Sequence, residues 1–174
     1  MKLFITKLLI LFTILFAQSN LSAEVPYYID FKLILNQSIA GKKAQDFLKN
    51  KLEKGLKKFS DQEKNLLNEE KKIIEQKKLI KPEEYKQKVD ALRSKVINLQ
   101  KERNTLIKSV SNKRSKARNE LLKNLNPVIS EYMQEKKIRM VVDKKSILLA
   151  DKNLDITNEI MELLNKRLKS INLD

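Results

Sequence analysis

The chain has 174 residues, with 37 Lys+Arg against 22 Asp+Glu for a formal charge of +15, and it contains no His, Cys or Trp. The commonest acid–base group, the commonest metal ligand and the best neutral-pH nucleophile are therefore missing, so an enzyme is the least supported reading and no cofactor is expected. Two Gly and three Pro among many Lys, Glu, Leu and Ile favour long helices, and 41% hydrophobic residues exclude a fully disordered polyelectrolyte.

Residues 1–23 read as a secretory signal peptide. Lys2 and Lys7 form a positive start, Leu8 to Phe16 are apolar except Thr13, and Leu21-Ser22-Ala23 offers a small residue at the cut. The apolar run is short of the roughly 20 residues that a membrane span requires. No Cys follows Ala23, so no lipoprotein attachment is expected there. The expected product is one domain, residues 24–174, exported to an extracytoplasmic compartment.

Three zones follow. In residues 24–41, Tyr27-Tyr28-Ile29 has the aromatic and β-branched character of a short strand. Asp30 can cap a brief helical turn over Phe31 to Leu35. Asn36 to Gly41 reads as a loop or a weak turn before a long helix.

Residues 42–136 are helical by period. Phe59, Leu66, Ile73 and Ile80 recur every seven residues, extended backward by Leu52 and Leu56. The companion positions Glu63, Glu70 and Lys77 are charged, so this seam is only half apolar. A second series, Tyr85, Leu92, Leu99 and Leu106, is interleaved with Val89, Val96, Val110 and Ala117, and is interrupted by Arg103 and Lys113. Between the two series, residues 79–85 contain Pro82, which suits the first turn of a new helix and pushes Lys81 out of the α region. Two heptad series around a break predict an antiparallel helical hairpin, an arm projecting from the rest of the chain. Gly55 reads as a surface glycine or a flexible point within it.

Residues 137–174 return to short elements. Ile138, Met140 and Val142 alternate as in a strand, and Ser146 to Ala150 reads as a second. Thr157 is the expected N-cap of a last helix with Ile160, Leu163, Leu164 and Leu168 on its apolar face. The fold class is thus mainly α with a small β body. Three short strands and one helix make a marginal core, and the remedy is pairing of strand edges between copies. Tyr28, Ile29, Ile138, Met140, Val142, Leu148, Ile156 and Leu163 are the expected body and oligomer residues.

The charge is uneven. Residues 42–136 hold 26 Lys+Arg and 14 Asp+Glu, so nearly all of the excess lies on the arm. Like charges along a rod repel, and a negatively charged partner is the simplest reason to keep them. Acidic polypeptide, anionic lipid and nucleic acid all fit. The export signal and the absence of interleaved aromatic residues argue against a physiological nucleic-acid partner.

Three stretches resemble the Skp/OmpH family of periplasmic chaperones. They are Tyr28 to Ser38 with Gly41-Lys42, the tip Ile80-Lys81-Pro82-Glu83-Glu84-Tyr85, and the run Met140-Val141-Val142-Asp143-Lys144, Leu148-Leu149-Ala150-Asp151 and Leu154-Asp155-Ile156-Thr157-Asn158-Glu159-Ile160. At the tip, Lys-Pro stands where the family has a more usual capping residue. The resemblance implies a periplasmic homotrimer whose body is an intersubunit β-barrel and whose arms enclose unfolded outer-membrane proteins without ATP. On that reading the client surface would combine Lys57, Lys58, Lys71, Lys72, Lys77, Lys78, Lys113, Arg114, Lys116 and Arg118 with the off-seam residues Leu67, Ile74, Leu79 and Ile107. The alternative is an envelope structural or adaptor coiled coil that binds lipopolysaccharide or a partner protein. Contact with anionic lipid is compatible with either.

Overall fold

A computed structural model describes residues 25–173. The signal peptide and its cut after Ala23 lie outside the described residues. The elements are β1 (Tyr27–Ile29), α1 (Phe31–Gln37), α2 (Ile39–Gln76), α3 (Pro82–Lys136), β2 (Val141–Asp143) and α4 (Thr157–Arg167), with 3-10 turns at Lys144–Ser146 and Lys152–Leu154. β1 and β2 pair in parallel, Tyr27 opposite Val141 and Ile29 opposite Asp143. Parallel neighbours need a crossover, and here the crossover is the entire helical arm.

The expected loop at Asn36 to Gly41 shrinks to a single residue. Ser38 takes φ −60°, ψ 151°, its N–H donates to the Ile34 carbonyl at 3.0 Å, and its hydroxyl accepts from the Gly41 N–H at 3.2 Å. One serine thus closes α1 and caps α2, which begins three residues before Lys42. The sharp turn forces α1 against α2. A Cβ at Gly41 would lie 2.1 Å from the Leu35 carbonyl oxygen, so only glycine fits the approach.

The body core comprises Ile29, Ile34, Ala40, Leu121, Leu125, Val128, Ile156, Ile160 and Leu164. The late turns of α3 therefore serve the body as well as the arm. Tyr132 packs against the same core, and burial, reinforced by the nearby Glu159 carboxylate, holds its phenol above its ordinary pKa.

Thr157 does not occupy the cap position expected of it; Ile156 does, and Thr157 is the first helical residue. Its N–H donates to Asp155 Oδ1 at 3.0 Å, and its hydroxyl donates to the same oxygen. That hydroxyl also accepts from the Asp30 N–H at 2.8 Å, while Asp30 Oδ1 caps α1 at the Leu33 N–H at 2.8 Å. The side chain is used between the two helix starts, and Asp155 serves the first amide of α4.

In place of the second strand expected at Ser146 to Ala150, the 3-10 turn ends at Ser146 and Ile147 to Ala150 pair with no strand among the described residues. β1 is already flanked by β2 and by a bridge from Tyr28 to Asp155. This chain therefore offers Ile147 to Ala150 no free edge of β1.

α3 ends at Lys137 in the left-handed region, φ 56°, with the Ile138 N–H returning to the Met133 carbonyl at 2.9 Å. A side chain in that conformation costs about 1–2 kcal/mol. Lys137→Gly is expected to stabilise the fold by about 1 kcal/mol, raising Tm by about 2–4 °C in a thermal melt.

Candidate functional site

The arm is α2 against α3. α2 ends at Gln76, residues 77–81 form the turn, and Lys81 adopts ψ 147° before Pro82 opens α3 with Glu83 and Glu84 in its first turn. These are the conformations Pro82 imposes on its neighbour and on itself. At 38 and 55 residues, the helices are about 55 and 80 Å long.

Phe59, Ile73, Leu99, Val110 and Ala117 are buried, and Leu66, Ile80, Tyr85, Leu92 and Leu106 are half-buried, as the heptad series requires. One pair of charged seam positions, Arg103 and Glu63, is bridged across the hairpin, and two ion pairs beside the seam join it. Arg103 reaches Glu63 at 3.0 Å, Lys95 reaches Glu69 at 2.6 Å and Lys58 reaches Glu102 at 3.3 Å. All three pairs remain solvent-accessible, so each is worth at most about 1 kcal/mol. Their contribution is register: they fix which turn of α2 faces which turn of α3. Gly55 is a seam position rather than a flexible point, because a Cβ there would lie 2.2 Å from Leu106 Cδ2.

Two concave regions lie along the arm. At its base a cleft of about 570 Å³ has apolar walls that include Leu35, Leu48, Leu52 and Leu121, with Lys49, Arg114 and Arg118 among its lining residues. Farther out, Leu66 and Leu67 of α2 face Leu92, Val96 and Ile97 of α3 across a groove of about 630 Å³ that Glu63, Glu70, Arg93 and Arg103 also line. Exposed apolar side chains run along the arm: Leu67, Val96, Ile97 and Ile107 are each at least 50% exposed, Ile74 is 58% exposed and Leu79 at the turn is 81% exposed. A cationic rod that keeps large apolar groups in water can bind extended chains by charge and by many small apolar contacts.

The matching family is described as outer membrane protein (OmpH-like), and its model covers residues 27–164. The chain belongs to the OmpH-like family. Its structure is similar to a crystal structure at 2.83 Å resolution of a protein from Caulobacter crescentus CB15, described as an OmpH-like outer membrane chaperone. The TM-score is 0.78 at 23% identity, over 90% of this chain and 94% of that one, a likeness of fold. No curated protein matches the chain.

Within this OmpH-like arm the cations named from sequence divide into two groups. Lys58 is paired with Glu102, Lys77 sits 5.8 Å from the Tyr85 ring, Arg118 sits 5.9 Å from the Phe31 ring, and Lys113 Nζ donates to the Leu173 carbonyl. Arg114 joins Arg118 at the basal cleft, and Lys116 lines a shallow hollow beside the C-terminal segment. Lys57, Lys71, Lys72 and Lys78 are exposed on α2 or at the turn. Leu67, Ile74, Leu79 and Ile107 all point to solvent.

Sequence reasoning placed Val96 in the seam and passed over Ile97. The doublets Leu66-Leu67 and Val96-Ile97 carried the signal. Successive residues of a helix point about 100° apart, so both members of a doublet cannot face one narrow seam. Of the expected body residues, Tyr28, Ile29 and Ile156 are buried in the chain's own core, and Ile138 and Val142 are half-buried. Met140 is 58%, Leu148 105% and Leu163 36% exposed, and Leu149 beside them is 93% exposed.

Proposed function

We propose that the protein is a periplasmic holding chaperone that works without ATP: three copies join through their small bodies, and their arms surround an unfolded outer-membrane protein. The observation that carries this reading is the arm itself, which combines most of the chain's positive charge with exposed Leu67, Ile74, Leu79, Val96, Ile97 and Ile107. Family membership supports it. Charge speeds capture of an acidic unfolded chain over about a Debye length, roughly 10 Å at 0.1 M salt. Apolar contacts then hold the client. Each is weak, and three arms raise the effective concentration of such contacts, so retention and release are both available without nucleotide chemistry.

Aggregation of a denatured outer-membrane β-barrel protein, followed by light scattering, tests the reading. The wild type is expected to suppress aggregation at low salt and to do so several-fold less well at about 1 M salt, where the Debye length falls to about 3 Å. A variant with Lys57, Lys71, Lys72 and Lys78 changed to Gln is expected to act like the wild type at high salt. Equal protection by that variant at low salt would remove the electrostatic step. No protection by either protein, with a fixed stoichiometric partner recovered instead, would favour an envelope adaptor.

A further inference from the structure

We propose that residues 168–173 are a strap that fixes the tilt of the arm on the body. α4 ends at Arg167, and Leu168 turns out of the helix at φ −125°, ψ 111°. The chain then runs on without regular structure to Leu173. Leu168 and Ile171 pack on the body core, and Ile171 also touches a second cluster of Ala44, Leu48, Val110, Ala117 and Leu173 at the arm's base. Leu173 is only 4% exposed in that cluster. The Lys113 ammonium donates to the Leu173 carbonyl, so an α3 side chain holds the segment by its backbone as well.

The strap therefore touches α2 through Ala44 and Leu48, α3 through Val110, Lys113 and Ala117, and the body through Leu168 and Ile171. Without it, α2 meets the body only over its first two turns, through Ile39, Ala40, Gly41 and Gln45, and α3 meets it along Leu121, Leu125 and Val128. Small rotations there are amplified: for an arm of about 55 Å, a 10° change at the base moves the turn by about 10 Å. Ala44 and Ala117 are small, which leaves the notch that Leu173 fills. The segment lies beyond residues 27–164, the part that the OmpH-like family model matches. It stands whatever the arm holds.

The absence of Cys makes the test direct. Leu79→Cys at the turn and Glu162→Cys on α4 would carry spin labels in the full chain, refolded with excess unlabelled protein so that each assembly holds at most one labelled copy. Pulsed electron resonance reads the distance distribution between turn and body. With residues 168–174 removed, its width is expected to at least double, with helical content otherwise kept. Lys113→Met should give an intermediate width. An unchanged width in a truncated chain that retains its helices would overturn the proposal and leave the segment as simple packing. Should the truncated chain fail to fold, Leu173→Ser is read the same way: broadening supports the strap, and a wild-type width refutes it.

Discussion

Leu148→Asp combined with Leu149→Asp is expected to break the proposed assembly into single chains, weakening association at least a hundredfold. Both leucines stand almost wholly in water within one chain, at 105% and 93% exposure, with Met140 at 58%. Large apolar side chains so placed are covered when a partner is present, and covering each is worth about 1.5–3 kcal/mol. Losing two such contacts costs about 3 kcal/mol or more, and each 1.4 kcal/mol is tenfold in affinity. Replacement by carboxylates adds the cost of burying charge. The fold of each chain should survive, since helical content does not depend on side chains that stand this far out in water. Sedimentation velocity at micromolar concentration measures the effect. A variant with the wild-type sedimentation coefficient would place Ile147 to Ala150 outside the contact between copies.

The second large effect is at the root of the arm. Gly41→Val is expected to destabilise the chain by about 3 kcal/mol, at the upper end of overpacking costs, and to lower Tm by roughly 6–12 °C. The added Cβ meets a backbone carbonyl of α1 at 2.1 Å, and backbone cannot rotate aside as a side chain can. Gly41→Ala already introduces that atom and should cost most of the same amount. Gly55→Ala provides the contrast. Its Cβ would meet only the end of the Leu106 side chain, at 2.2 Å, which another rotamer can clear. The gain of about 1 kcal/mol in helix propensity offsets part of that adjustment. Thermal melts of the three variants should therefore place both Gly41 variants well below Gly55→Ala. A Gly41→Ala protein melting within 1 °C of wild type would contradict the described contact between α1 and α2.

The helices were legible because their signals are local. A seven-residue period, a proline between two heptad series and a shortage of glycine depend on neighbours a few positions away. Asp30 as a cap and Tyr27–Ile29 as a strand were legible for the same reason. The body was harder to read. The Thr157 hydroxyl turned to the Asp30 N–H and Tyr28 bridging to Asp155 depend on which distant segments meet, whereas Ser38 serving two helices is a local device that composition does not mark. The apolar run Ile147-Leu148-Leu149 suggested a strand over Ser146 to Ala150, but apolar character shows only that a segment could pair, not whether an edge is available. On the arm, composition located the charge, while the bond from Lys113 to the Leu173 carbonyl and the approach of Arg118 to the Phe31 ring required the fold. Gly55 illustrates the same limit: the sequence marks a glycine in a helix, and only the facing Leu106 explains it.

If small bodies join so that several cationic arms enclose one unfolded chain, the assembly and its complex each have a defined mass. Light scattering coupled to size exclusion tests it most directly, on the protein lacking residues 1–23, alone and mixed with a urea-denatured outer-membrane β-barrel protein diluted into buffer. The expected masses are three copies alone, and three copies plus one client in the mixture. A product with the mass of one chain, unchanged when the client is added, would contradict both.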